Sequence, residues 1–268
     1  MRFVIYVIIV LYSFSATADK QNSSLAAVAW MQDSAEYFAI TQQTLKLAAK
    51  QIKIAKDDKR WTAALEQFPQ KDIDKLPTAV ILNLDDTMIS SMPYHAELIN
   101  DNDPHTIKAY EKWIAFEKAP LIAGIMPFIQ EAAQNRVKVV IISNRNCIPT
   151  PRDKCPIKTQ TLNMFKRAGL VFDRDDLLFK GEQPDWRKDK QTRREYLSKM
   201  YRILLIIGDD IADMIPNSAI SPSPSRKMYT EQYLSLWGER WFLLPNPVSG
   251  SWREVAGRNL HDVLKKYD

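Results

Sequence analysis

The sequence has no run of three or more consecutive Lys or Arg, and its 37 basic residues are interleaved with 32 acidic ones for a formal charge of +5. That mild balance argues against a nucleic-acid polymer as partner and suits an anionic small molecule. Histidine is scarce: His95, His105 and His261 are scattered without ligand spacing, which speaks against zinc. Cysteine is scarcer still, with only Cys147 and Cys155. No internal repeat or low-complexity tract interrupts the chain, and a hydrophobic content of 46% excludes a disordered class.

What is present begins with "MRFVIYVIIVLYSFSATADK": one Arg, an apolar stretch from Phe3 to about Tyr12, then Ala16-Thr17-Ala18. Small-x-small after such a stretch is what a signal peptidase accepts, so residues 1–18 are expected to be a signal peptide and 19–268 the mature chain. The alternative is an uncleaved single anchor, for which the apolar run is short. No Cys follows the run, so no lipid attachment there is expected. The expectation is a periplasmic or secreted protein with no stable membrane anchor. In an oxidising compartment Cys147 and Cys155, within "NCIPTPRDKC", could pair; the other reading is two unpaired thiols.

Residues 25–56 carry apolar side chains at a helical period, with Ser23 or Ser24 as N-cap. A polar, Pro-containing connector follows. Then come three short apolar runs rich in β-branched residues, "AVILNL" (79–84), "VKVVIIS" (137–143) and "RILLIIG" (202–208). Each is apolar throughout, as strands of a parallel sheet buried on both faces must be. "RWFLLP" (240–245) could extend the sheet. Helical stretches between the runs complete an α/β pattern, in which ligands bind at the carboxyl ends of the strands.

Those ends carry Asn83-Leu84-Asp85-Asp86-Thr87, Ser143-Asn144-Arg145 and Gly208-Asp209-Asp210-Ile211-Ala212-Asp213, with "RKDKQTRR" (Lys190, Arg193) before the third run. Acids after a single strand are ordinarily solvated turn residues. Their recurrence on successive αβ units points to phosphoryl transfer. Carboxylates from two tips can share Mg²⁺, a hard cation preferring oxygen, while a Lys, a Ser hydroxyl and backbone N–H groups hold phosphoryl oxygens. One Asp could attack phosphorus and a second protonate the leaving oxygen.

On these motifs the sequence resembles the haloacid dehalogenase (HAD) superfamily, and within it the class C acid phosphatases, which include outer-membrane lipoprotein acid phosphatases acting on nucleoside monophosphates. "LAAVAWMQDSAEYFAI", "NLDDTMISSMPY", "VVIISNR", "KDKQTRR", "GDDIADM" and "FLLPNPVSGSW" match the family's segments in order. The resemblance implies a three-layer α/β core (78–268) with a parallel sheet, a helical N-terminal segment (24–75), a small helical cap around 95–120, Mg²⁺ as cofactor, a small phosphomonoester as substrate, and room for a homodimer. By position it gives residue 83 the nucleophile's place and a metal oxygen. Asp85 would be the acid/base, its carbonyl also on the metal. Ser143 and Asn144 would bind the phosphoryl group and Lys190 would stabilise it. Asp209 would be the second metal carboxylate, with Asp213 supporting metal waters or Lys190. Arg193 would orient neighbouring acids, the alternative being a helix-surface Arg, and Tyr110 would be one of two aromatic walls for a base, the alternative being ordinary core packing.

Two departures stand out. The family's leading Asp is Asn83 here, and an amide is a poor nucleophile that brings no charge to a metal. A slip of two residues would make Asp85 the nucleophile but would break the rest of the match. Some plant storage proteins of the same branch also lack the leading Asp, so a catalytically silent phosphoester-binding or storage protein is the competing expectation. The second departure is Val248, which stands where the other aromatic wall would fall. With one wall missing, nucleotide preference should weaken, since each base stack is worth ~1–3 kcal/mol.

Overall fold

The computed structural model describes residues 24–257 and 260–265. The expected signal peptide and Ser23 lie outside the described residues.

The 25–56 helix is divided. Helix α1 covers 24–33 and α2 covers Ala35–Asp57. The break is at Ser34, whose backbone is extended (φ −75°, ψ 137°) and whose hydroxyl accepts the Tyr37 N–H at 3.0 Å. A serine oxygen competes for an orphan helix donor more effectively as a cap than inside a helix, so the chain restarts there. Asp58 ends α2, and beyond it the guanidinium of buried Arg202 collects the carbonyls of Ala55, Lys56, Asp58 and Trp61.

Five strands follow: β1 (Thr78–Asn83), β2 (Lys138–Asn146), β3 (Leu177–Lys180), β4 (Arg202–Gly208) and β5 (Trp241–Leu243). All pair parallel in the order β3-β2-β1-β4-β5. The run at 240–245 does extend the sheet. β3, only four residues long, was not anticipated; so short a run has no periodicity of its own.

Side chains alternate between the faces with the period of two that a strand imposes. Val80, Leu82, Val139 and Ile141 face a layer formed with α2, α5 (Ile125–Gln134) and α6 (Pro156–Arg167). Ala79, Ile81, Val140 and Ile142 face Leu197 of α7 (Gln191–Ser198), Trp186, Met214 and Trp241. This is the three-layer arrangement the sequence leads one to expect. Every residue of β4 is buried, and each fully buried aliphatic side chain contributes about 1.5–3 kcal/mol. Between β1 and α5, the segment expected to form a cap carries α3 (Met92–Asp101) and α4 (Ile107–Ile114). Helices α8 (Ser223–Gln232) and α9 (Ser251–Val255) flank β5. Cys147, at the end of β2, and Cys155, which precedes α6, form a disulfide.

Candidate active site

The parallel register sets the tips of β1, β2 and β4 side by side, with Asn83 paired to Ile142 and Leu82 paired to both Ile141 and Ile207. Beyond β1 the chain turns through Asp86 in the left-handed region (φ 57°), which Asp tolerates better than most residues. The turn is locked by Asp86 N–H to the Ile89 carbonyl (2.7 Å) and by Ser91, whose N–H and hydroxyl donate to the Asp86 carboxylate. Gly208 has no left-handed backbone. A side chain is excluded there because the Asp213 carboxylate lies against its Cα.

A cavity of about 230 Å³ opens over the tips, lined among others by Asn83, Asp85, Asn144, Lys190, Asp209 and Ser249. The Asn83 amide is its centre. Lys190 Nζ donates to Oδ1 at 2.7 Å, and Nδ2 donates to Asp209 Oδ1 at 2.5 Å and to the Asp85 carbonyl at 3.0 Å. An ammonium can only donate and a backbone carbonyl only accept, so Lys190 and the Asp85 carbonyl dictate which end of the amide faces which. Lys190, buried, also bonds Asp213, whose other oxygen accepts the N–H groups of Asp209 and Asp210. Asp213 therefore serves Lys190 and the β4 turn.

Asp85 is held from two sides. Arg145 reaches it through Nη2 (2.7 Å to Oδ1) and Nε (3.1 Å to Oδ2), and the Tyr110 hydroxyl donates to Oδ1 at 2.6 Å. Burial, then the neighbouring Asp85 charge, pushes the Tyr110 phenol well above its ordinary pKa, so it stays a donor. Its ring stacks on Trp113 (centroids 5.5 Å) and meets Tyr94 edge-on (5.1 Å). Tyr110, for which an aromatic wall and ordinary core packing were both open, packs on these two rings with its hydroxyl on Asp85. Val248 packs with Val28, Met31 and Met92, beside the N-terminal helix.

Arg193 departs from its expected partners. It is fully buried and, among the described residues, bonds no carboxylate: Nη1 donates to the Ser143 carbonyl (2.6 Å), and Nη2 to Asn144 Oδ1 and the Arg187 carbonyl (both 2.7 Å) and more weakly to the Asp189 carbonyl (3.4 Å). It shapes the β2 tip. Burial, then the adjacent Arg194 charge, lowers its pKa to about 10. The Ser143 hydroxyl is buried and accepts the Arg145 N–H, while Asn144 is exposed and donates to the Lys188 carbonyl at 3.0 Å.

Arg145, Asp86, Thr87 and Asn246 went unassigned in the sequence. Arg145 sits in the quoted "SNR" and could have been suspected as a cation beside acids. Asp86 lies within "DDT". Asn246, in "PNP", had no signal: its Nδ2 donates to Asp209 Oδ2 (2.8 Å) and more weakly to Asp86 Oδ2 (3.3 Å), which only the fold brings together. Burial, and then the Asp213 and Asp86 charges, raise Asp209 to about 8; burial raises Asp86 to about 6 against the bonds from Ser91.

The chain matches the family model of the HAD superfamily, subfamily IIIB (acid phosphatase), over residues 8–252, and belongs to that family. Its fold is similar to that of the class C acid phosphatase from Bacillus anthracis, with a TM-score of 0.76 at 22% identity over 93% of this chain and 99% of that one. A second structure of the Bacillus anthracis class C acid phosphatase, with tungstate bound, gives a TM-score of 0.77 at 21% identity, covering 92% and 99%. Phosphatases of the superfamily typically use a divalent metal, act on small phosphomonoesters and, in class C, are typically exported.

The oxygens that would hold such a metal are here bonded to one another. The Asp85 carbonyl and Asp209 Oδ1 both face the Asn83 NH₂, and Asp209 also accepts from Thr87 (3.0 Å) and Asn246. A divalent cation needs lone pairs and negative charge at that point; this set presents N–H hydrogens instead. The residues as arranged do not fit a divalent cation.

Proposed function

We propose that the protein is an exported phosphomonoesterase of the acid phosphatase type that binds small phosphomonoesters over the β1, β2 and β4 tips. The observation that carries the reading is the Lys190 ammonium, held by Asn83 and Asp213 on the wall of a 230 Å³ cavity shared with Asn144. A phosphoryl group there would meet Lys190 and the Asn144 amide, fixed charge and dipole of the kind that stabilises phosphoryl transfer. The tungstate in the Bacillus anthracis protein is a tetrahedral oxyanion of the same shape class and supports this choice of ligand.

Asn83 is too weak a nucleophile for an aspartyl-phosphate, so turnover proceeds by direct attack of water. Asp85, held in place by Arg145 and Tyr110, accepts the water's proton as the new P–O bond forms. The ester P–O bond breaks and the proton passes to the leaving alcohol. The Mg²⁺ expected from the resemblance has no part in this scheme. Export rests on the N-terminal residues 1–18; among the described residues no helix is long and apolar enough to cross a membrane. A homodimer remains part of the proposal only through the resemblance.

A second reading, a silent phosphoester binder, is favoured by the Asn83 amide itself. Phosphate release from a chromogenic ester and from nucleoside monophosphates decides between them, with Asn83→Asp measured alongside in Mg²⁺. Slow release by the unmodified chain supports the enzyme. Binding without release supports the silent binder, and equal rates for the two proteins would overturn the role given to position 83.

A further inference from the structure

We propose that the Asn83 amide takes the place of a divalent cation as the cross-link between the β1 and β4 tips, so that the phosphoryl pocket is assembled and binds its oxyanion without metal. The inference rests on the phosphomonoester reading for the identity of the pocket, but its metal independence stands on separate geometry.

A cation in such a site gathers oxygens that otherwise repel. Here Nδ2 performs that gathering: one nitrogen, two hydrogens, the Asp85 carbonyl on one and Asp209 Oδ1 on the other. The opposite end of the amide accepts from Lys190, so the same side chain also links the tips to the ammonium that precedes α7. Asp209 is then satisfied throughout, by Asn83 and Thr87 on Oδ1 and by Asn246 on Oδ2. Asp213 is occupied by Lys190 and two backbone N–H groups, and Asp86 by Ser91 and Asn246. Among the described residues, no carboxylate at the tips is left facing the cavity without a donor. Replacing the NH₂ by a carboxylate oxygen would bring two carboxyl groups to the 2.5 Å contact now made with Asp209, a pair that needs a shared proton or a cation between its oxygens, where the amide needs neither.

The test uses the mature chain and Asn83→Asp, stripped with EDTA and then titrated with Mg²⁺ or Mn²⁺. Thermal unfolding and calorimetric binding of inorganic phosphate are followed in both buffers. The wild type should show the same Tm with and without cation, and a phosphate affinity equal within about twofold. Asn83→Asp should melt several degrees lower in EDTA and recover as cation is added, the linkage expected of a ligand that binds only the folded state. A saturable, cation-dependent rise in the wild-type Tm, or a loss of phosphate affinity of about tenfold or more in EDTA, overturns the proposal. If Asn83→Asp does not fold, the wild-type measurements decide alone. Phosphate binding in neither buffer would sink the phosphomonoester reading, while the Tm comparison would still settle the cation.

Discussion

Arg145 grips the Asp85 carboxylate edge-on, with Nη2 2.7 Å from Oδ1 and Nε 3.1 Å from Oδ2, while its Nη1 bonds Thr161 of α6 at 2.9 Å. One guanidinium thus ties the β1 loop to the helix behind β2. Arg145 is 1% exposed in its side chain and Asp85 24%, so the pair is only partly screened. Arg145→Ala should destabilise the fold by about 3 kcal/mol, the low end for breaking a buried pair, as read from denaturant midpoints. Loss of hydrolysis should exceed that of Tyr110→Phe, which removes one neutral donor. A variant with unchanged stability would show that the pair contributes nothing net.

Lys190 faces both the Asn83 oxygen and Asp213, with both partners of the ion pair almost fully buried. Lys190→Met removes the only ammonium bonded to the Asn83 amide among the described residues and leaves Asp213 without its cation. Phosphate affinity should fall about tenfold or more, since a hydrogen bond to a charged group is worth roughly 1.5–3 kcal/mol. Calorimetry reads this directly; an unaltered affinity would mean that phosphate sits elsewhere.

Stability should fall as pH rises from 6.5 to 8. Asp209 is raised to about 8 in the folded protein by burial and by Asp213 and Asp86, while in the unfolded chain it titrates near 3.8. In that window the folded state holds a proton that the unfolded state has lost, so the slope of stability with pH is negative. Below 6.5 the trend is mixed. Asp86, raised to about 6, has the same sign, but His95, lowered to about 4 by burial, is protonated preferentially when unfolded and has the opposite one. Tm measured across pH 6.5–8 should therefore decline, and Asp209→Asn should flatten the decline. A wild-type Tm that rises through this range would contradict the assignment.

The Cys147–Cys155 disulfide closes a short loop that joins the end of β2 to the start of α6. Replacing both cysteines by serine should cost about 2–3 kcal/mol on the chain-entropy model. Because Arg145 lies two residues before Cys147 and leans on Thr161 of α6, hydrolysis should weaken with it. Thiol titration of unreduced, denatured protein checks the bond itself.

Much of the architecture was legible because a parallel sheet buried on both faces needs continuous apolar runs. "AVILNL", "VKVVIIS" and "RILLIIG" have no other comfortable home. Their polar ends marked where a site must lie, and Asn83, Asp85, Lys190 and Asp209 do meet there. Local chemistry was also readable in part: Ser34 is a helix-capping residue by type, though the apolar period ran straight through it.

What the sequence determined by itself is therefore the α/β order of elements, the site at the strand tips and the oddity of an amide at position 83. Only the tertiary structure decided what each polar group touches. Arg193 reads as a helix residue near acids, yet the packing of α7 buries it against carbonyls of the β2 tip. Tyr110 is an aromatic wall or core packing by sequence, and only the fold puts its hydroxyl on Asp85. Asn246, 160 residues from Asp86 in sequence, donates to both Asp86 and Asp209. Periodicity encodes which face of an element is apolar, because burial follows a repeating geometry. Hydrogen-bond partners depend on angstrom-scale positions of residues far apart in the chain, and no local pattern specifies those.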